Sequence, residues 1–298
     1  MINITFLGTS GSIPTLKRNH TSVLLTYKGE NILIDCGEGT QRQFRKAKLN
    51  PCKITRILIT HWHGDHVLGI PGMLQTLSLS GYNKTLFIYG PKGTKKFMKN
   101  LLKTFIFKLN YKIEIKEVKS KFFENQEFYL EAKEMTHGVS CNAYTFIKKG
   151  QIKINKEKLK KTKLPSNKLL QKLKQGKNIT HQGKKYLAKN LTSKENDVKI
   201  SFVYDTLFNK KISTFVKNSE LLICDSSFHS DIEKKAKENK HLTAKQAGEI
   251  AKKSKSKKLV LTHVSQRYDK NLKEILDDAK KVFKNTILVN DFDVVKFK

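Results

Sequence analysis

The segment His61-Trp62-His63-Gly64-Asp65-His66 places three imidazoles and one carboxylate within six residues. Imidazole nitrogen and carboxylate oxygen together suit Zn²⁺ and similar borderline cations. A turn at a strand end can point His61 and His63 to one side while Asp65 and His66 serve a second position. Two cations about 3.5–4 Å apart clamp a phosphoryl group and activate water beside it. The chemistry open to such a cluster is therefore metal-assisted hydrolysis.

Such a cluster must be held by regular elements. Arg56-Ile57-Leu58-Ile59-Thr60 is a short apolar strand that runs directly into it. Upstream, Ile2, Ile4 and Phe6 alternate as in a strand, and two apolar runs flank Lys28-Gly29 as in a hairpin. Helices are expected over 38–48, 67–80, 92–102, 243–253 and 272–283, with Pro91 opening the third and Thr243 capping the fourth. Strands are expected over 86–89, 112–118, 128–134, 143–147, 200–204, 221–224 and 258–262, and the chain ends in a strand pair near 287–289 and 294–297. Strands and helices interleave, which implies an α/β layered architecture with helices outside sheets. No apolar run approaches the roughly 18 residues that cross a membrane. The N-terminus lacks the pattern of a secretory signal, and four dispersed cysteines without a CxxC pair fit reduced thiols, so a cytoplasmic protein is expected.

Of the 298 residues, 59 are Lys or Arg and 26 are Asp or Glu, a net charge of +33. Only five of the cations are arginines. Such an excess fits a polyanionic partner, and it also fits a compositional bias toward Lys and Asn; its location separates the two. Residues 148–199 hold seventeen lysines against three acids, a net +14 in 52 residues. Apolar residues are sparse there, so the stretch is expected to project as a basic flexible arm from a single domain spanning 1–298.

The HxHxDH pattern of residues 61–66 resembles the signature of the metallo-β-lactamase superfamily, whose fold is a four-layer αββα sandwich. That likeness implies further ligands at separated strand ends. His137 follows the run 128–136, Asp205 follows Ser201-Phe202-Val203-Tyr204, and His263 follows Leu259-Val260-Leu261-Thr262. Within the superfamily the chain is similar from end to end to the short form of the ribonuclease Z family, which trims precursor tRNA. The matching stretches are Phe6-Leu7-Gly8-Thr9-Ser10-Gly11 with Pro14, then Leu33-Ile34-Asp35-Cys36-Gly37-Glu38-Gly39-Thr40-Gln41, and Ile88-Tyr89-Gly90-Pro91-Lys92-Gly93. His241-Leu242-Thr243-Ala244, Leu261-Thr262-His263-Val264-Ser265-Gln266-Arg267-Tyr268 and Asn285-Thr286-Ile287-Leu288 complete them.

The resemblance implies two Zn²⁺ per subunit, although Mn²⁺ or Fe²⁺ also suits the donors. His61, His63 and His137 would bind one ion and Asp65, His66 and His263 the other, with Asp205 bridging and Asp35 buttressing. It implies that Asp65 orients the nucleophile and takes its proton, and that His241 serves the leaving oxygen. Ser265 and Arg267 are candidate contacts to the RNA end, with Lys17 and Arg18 as weaker ones. The expected reaction cleaves precursor tRNA 3′ of the discriminator nucleotide, in a homodimer whose 148–199 arm grips the tRNA elbow. The alternative is a dinuclear phosphodiesterase acting on small or cyclic phosphodiesters. The chain departs from the family pattern where Tyr204 precedes Asp205, where Leu207-Phe208 follows Thr206, and where Asp225 replaces a more usual Glu. It departs again where Leu164-Pro165-Ser166-Asn167 stands near the place of a Gly-Pro.

Overall fold

The computed structural model describes residues 1–106, 108–162, 164–165 and 168–297; Ser166 and Asn167 of the Leu164-Pro165 stretch lie outside them. Two seven-stranded mixed sheets form the body. The first runs in the order Val294–Phe297, Ile2–Gly8, Ser22–Tyr27, Glu30–Ile34, Arg56–Leu58, Leu86–Gly90, Ile113–Glu117. The second runs Thr286–Leu288, Leu259–Thr262, Leu221–Asp225, Val198–Val203, Cys141–Lys148, Phe128–Met135, Ser120–Glu124.

Strand periodicity sorts side chains into layers. Ile2, Ile4 and Phe6 meet Tyr144, Phe146, Phe202 and Ile223 in a core between the sheets. The alternate residues of the same strands face helices. Leu222, Cys224 and Val203 pack on Ala247, Ile250, Ile275 and Ala279, whereas Leu7, Leu24, Leu33 and Ile57 pack on Phe44, Ile70, Leu74 and Met98. The result is a four-layer αββα sandwich. Helix Ala244–Lys253 begins at Thr243 with a complete capping box to Gln246, as the sequence implies.

Three expectations need correction. The terminal strands do not pair with each other. Thr286–Leu288 joins the second sheet beside Leu259–Thr262, and Val294–Phe297 joins the first beside Ile2–Gly8. The loop between them is tied to Phe6, whose N–H donates to Asp293 O and whose carbonyl accepts from Phe292 N–H. The helix after Pro91 starts only at Thr94, because Gly93 takes a left-handed conformation (φ 98°) and turns the chain first. The third concerns Arg18, a weak candidate for RNA contact. It is buried and donates to Thr9 Oγ1, Val289 O and Asn290 Oδ1, at 2.7–2.9 Å. Thr9 also bonds Asp291, which accepts from Asn19 N and Gln43 Nε2 as well. Arg18 is thus a strut joining the first loop to the inter-sheet connection. Lys17 beside it is exposed.

Residues 148–199 leave the body between Cys141–Lys148 and Val198–Val203, which pair antiparallel with Lys148 opposite Val198. The segment carries short helices and two small ribbons around Leu164, Leu173, Ile179, Ala188 and Leu191. That cluster draws only on residues between 159 and 191. The insertion therefore has a small core of its own, which sparse apolar residues did not suggest. Among the described residues, no helix is long and apolar enough to cross a membrane.

Replacing Arg18 leaves several buried acceptors without a donor. Arg18→Ala is expected to lower unfolding stability by about 3 kcal/mol, read as a shift of the urea midpoint at constant slope.

Candidate metal centre

The donors gather because strands of both sheets end on one rim. Glu30–Ile34 and Arg56–Leu58 are parallel neighbours, so Asp35 and His61 emerge side by side. In the second sheet Val198–Val203, Leu221–Asp225 and Leu259–Thr262 are parallel, so Asp205, Asp225 and His263 emerge together. Phe128–Met135 runs in the same sense as Val198–Val203 because each is antiparallel to Cys141–Lys148, which brings His137 to that rim. Polar sites in open α/β sheets form at the carboxyl ends of strands. The two rims are joined directly: Asn142 N donates to Thr60 O (2.8 Å) and Tyr144 OH to Ile59 O (2.7 Å).

Asp35 is the anchor. It is fully buried and accepts from Thr60 N, Thr60 Oγ1 and His66 Nδ1, each at 2.7 Å. The last contact fixes the His66 tautomer and turns Nε2 toward the centre. His137 is oriented in the same way, with Nδ1 bonded to Lys240 O at 3.1 Å. Thr60 Oγ1 lies 3.1 Å from His61 Nδ1, leaving Nε2 free to face inward. Asp65 sits on the one-turn helix Gly64–Val67 and its Oδ2 accepts from Ser12 N at 2.9 Å. Two glycines allow these approaches: a Cβ on Gly11 would lie 2.7 Å from His263 Nδ1, and one on Gly37 would lie 2.5 Å from Asp65 O.

Among the described residues, three overlapping groups of donor atoms share Asp205: first His61, His63, His137 and Asp205, second Asp65, His66, Asp205 and His263, and third Asp205, Asp225, His241 and His263. Within the first, His63 Nδ1 is 3.0 Å from His61 Nε2 and 3.2 Å from His137 Nε2. Within the second, His263 Nε2 is 3.2 Å from both His66 Nε2 and Asp205 Oδ1. Tetrahedral donors about 2.0–2.1 Å from a common ion stand roughly 3.3 Å from each other. The buried Asp205 Oδ1 has no hydrogen-bond partner, although it lies among imidazoles. Donor type, spacing and this orphaned oxygen fit a divalent cation site.

The electrostatics agree. Burial opposes a charge on His263, but Asp205, Asp225 and Asp65 outweigh it and raise its pKa to about 10. Burial likewise works against His66, yet Asp205, Asp35 and Asp65 hold it well above the usual histidine range. Asp205 is drawn well below the usual carboxylate range by His263, His241 and His66, against the cost of its burial. The carboxylates impose a field that favours positive charge at this spot.

His241 stands beside the second group. Its ring stacks on His263 with centroids 5.5 Å apart, and its Nε2 lies 3.8 Å from Asp205 Oδ2. Burial disfavours its charge, but Asp205 and Asp225 raise its pKa overall. Asp225 Oδ2 accepts from His241 Nδ1 (3.1 Å) and Leu242 N (3.1 Å), while Oδ1 accepts from Ser227 Oγ (2.6 Å). Ser227 Oγ is in turn 3.0 Å from His263 Nδ1. Asp225, which in the sequence stands only as a departure from the family pattern, is the acid that pairs with His241. The available signal was an acid closing the wholly apolar run Leu221-Leu222-Ile223-Cys224. Ser265 and Arg267 lie outside the donor cluster. The Arg267 guanidinium sits 5.4 Å from the Phe228 ring centroid, and Phe228 meets His241 edge-on at 5.9 Å. Ser265 N donates to Ser227 O and its Oγ accepts from Arg267 Nε.

Facing sheets wrapped by helices, with clustered His and Asp at strand ends on one rim, define a hydrolase of the metallo-β-lactamase fold. A family model described as Anti-Pycsar protein Apyc1 matches residues 2–283. Ribonuclease Z of Nanoarchaeum equitans is 39% identical over 295 residues, covering 99% of this chain and 93% of that protein. Ribonuclease Z of Methanothermobacter thermautotrophicus is 37% identical over 300 residues, covering 100% and 97%. Among solved structures, the short form of human tRNase Z aligns with a TM-score of 0.70 at 26% identity, covering 99% of this chain and 98% of that one. The chain belongs to the ribonuclease Z family.

Asp35→Asn keeps the shape but weakens the contacts that orient His66 and Thr60. It is expected to lower divalent-metal affinity about 10–100-fold, measured by competition with a chromogenic chelator. Unchanged affinity would show that His66 needs no anchor.

Proposed function

We propose that this protein is a precursor-tRNA 3′ endoribonuclease that hydrolyses the phosphodiester 3′ of the discriminator nucleotide, leaving a 3′-hydroxyl tRNA and a 5′-phosphate trailer. The observation that carries the reading is full-length similarity to proteins named ribonuclease Z, at 36–39% identity. His61, His63 and His137 would hold one Zn²⁺, and Asp65, His66 and His263 a second, with Asp205 shared; bound cations there acidify water and neutralise the phosphate oxygens.

The chain's own groups supply the rest. Asp65, fixed by Ser12 N–H, orients the attacking water and receives its proton. His241, steadied at Nδ1 by Asp225, presents Nε2 to the departing 3′ oxygen and gives it a proton. Ser265 and Arg267 contact the RNA end from the wall formed by Phe228. The 148–199 arm grips the tRNA elbow through lysines, which act on phosphates as point charges without reading sequence. In a homodimer the arm of one protomer serves the centre of the other, and the enzyme works in the cytoplasm, where its substrate is made.

The second reading, hydrolysis of small or cyclic phosphodiesters, is kept because the matching family model carries a different name from the curated relatives. Incubation with one precursor tRNA, a cyclic nucleotide and bis(p-nitrophenyl) phosphate, followed by end mapping, separates the two. A single cut 3′ of the discriminator supports the ribonuclease; turnover of the cyclic nucleotide without tRNA cleavage supports the alternative.

Two variants probe the mechanism. Asp65→Ala is expected to reduce precursor cleavage at least 10³-fold while tRNA binding by filter retention changes little; retained cleavage removes Asp65 from its role. Because Lys148 faces Val198 across an antiparallel pair, an Asn-Gly turn can replace 149–197 and close a hairpin. This deletion should raise KM for precursor tRNA and spare bis(p-nitrophenyl) phosphate. Equal loss on both substrates would make the segment structural.

A further inference from the structure

Two clefts flank residues 207–209, just after Asp205. One, about 220 Å³, is lined by Leu207, Phe208, Glu233, Lys237, His241 and Gln246. The other, about 990 Å³, starts at His137 and is lined by Lys92, Lys133, Lys210 and Lys211, with Glu134 the one carboxylate among its lining residues. It continues past Lys92 and Ser140 into a hollow of about 350 Å³ that adds Lys119. Glu117 also borders that hollow, but it is engaged at Gly93 N and Lys95 N. Lys92, Lys133, Lys210 and Lys211 are exposed, and among the described residues none is ion-paired. Four unpaired cations against one acid make an electropositive track that leads away from the candidate metal centre.

The chemistry of the cut says which strand such a track would take. Hydrolysis that leaves a 3′-hydroxyl breaks the P–O3′ bond, so the phosphate stays with the trailer. His241 borders the smaller cleft, and O3′ with its nucleotide belongs on that side. The trailer keeps the phosphate and continues as a polyanion, and of the two clefts only the one opening at His137 carries an excess of lysines, because Glu233 balances Lys237 in the other. We infer that the groove from His137 along Lys92, Lys133, Lys210 and Lys211 binds the single-stranded RNA 3′ of the cut, through its phosphates. This rests on the ribonuclease reading for the identity of the strand.

The test is fluorescence anisotropy of a 5′-phosphorylated 10-nucleotide RNA with the full-length protein, as a function of salt. For single strands the slope of log K against log salt changes by about 0.7 per phosphate contact. Combining Lys133→Ala, Lys210→Ala and Lys211→Ala should reduce the slope by roughly 2 and weaken low-salt binding at least tenfold. Combining Lys252→Ala, Lys253→Ala and Lys280→Ala, all exposed on other helices, should leave the slope unchanged. Equal losses in the two triples, or no loss in the first, overturns the groove. The strand is assigned by photocrosslinking in EDTA from 4-thiouridine at the fourth trailer nucleotide of a precursor tRNA. Crosslinks within 133–140 or 207–211 support the assignment, and crosslinks confined to 148–199 refute it. Neither readout depends on cleavage, so failure of the wild-type protein to cut precursor tRNA would sink the ribonuclease reading separately.

Discussion

The structure turns on the burial of Asp205. Its carboxylate sits between His61, His66, His137, His241 and His263, with imidazole nitrogens 3.2–3.8 Å away and one oxygen lacking any hydrogen bond. A buried charge is tolerable only when compensated. Compensation here needs side chains from both sheets, so the sheets must be held in register at one rim. The Tyr144 and Asn142 bonds to the 59–60 backbone and the parallel strand pairs meet that demand. The inter-sheet aromatic core fixes their separation.

Two further buried carboxylates, Asp35 and Asp225, end the strands that lie next to those leading to the donors. Asp35 and Asp225 are each one shell behind an imidazole, and each holds a backbone N–H besides its histidine. Their effect is to choose which ring nitrogen faces the centre. A substitution at either would leave the inward donors in place and loosen their aim, which is a different failure from loss of a donor.

Much of this was legible in the sequence, for a physical reason. Short apolar strands that end in a polar residue are rare enough to read, and Thr60-His61, Thr262-His263 and Tyr204-Asp205 all have that form. Helix starts carried by capping chemistry, as at Thr243, could be read for the same reason. What could not be read depended on partners distant in sequence. Arg18 looks like a surface cation until Val289 and Asn290 close over it. The last two strands look like a hairpin because proximity along the chain suggests pairing, whereas each finds its neighbour in a different sheet. Asp225 is visible as an acid, but its pairing with His241 is a tertiary fact.

The place of the insertion follows from loop energetics. Lys148 and Val198 already face each other across a strand pair, so the ends of the segment are fixed by the body whatever lies between them. Closing a longer loop between fixed ends adds only about 0.6 kcal/mol per doubling of length. A lysine-rich segment with its own small core can therefore grow at this point without disturbing the rim that holds Asp205. The reactive centre and the charged insertion thus answer to separate constraints, burial in one case and solvation in the other. A fold of this kind can change what it grips while leaving the reacting groups as they are.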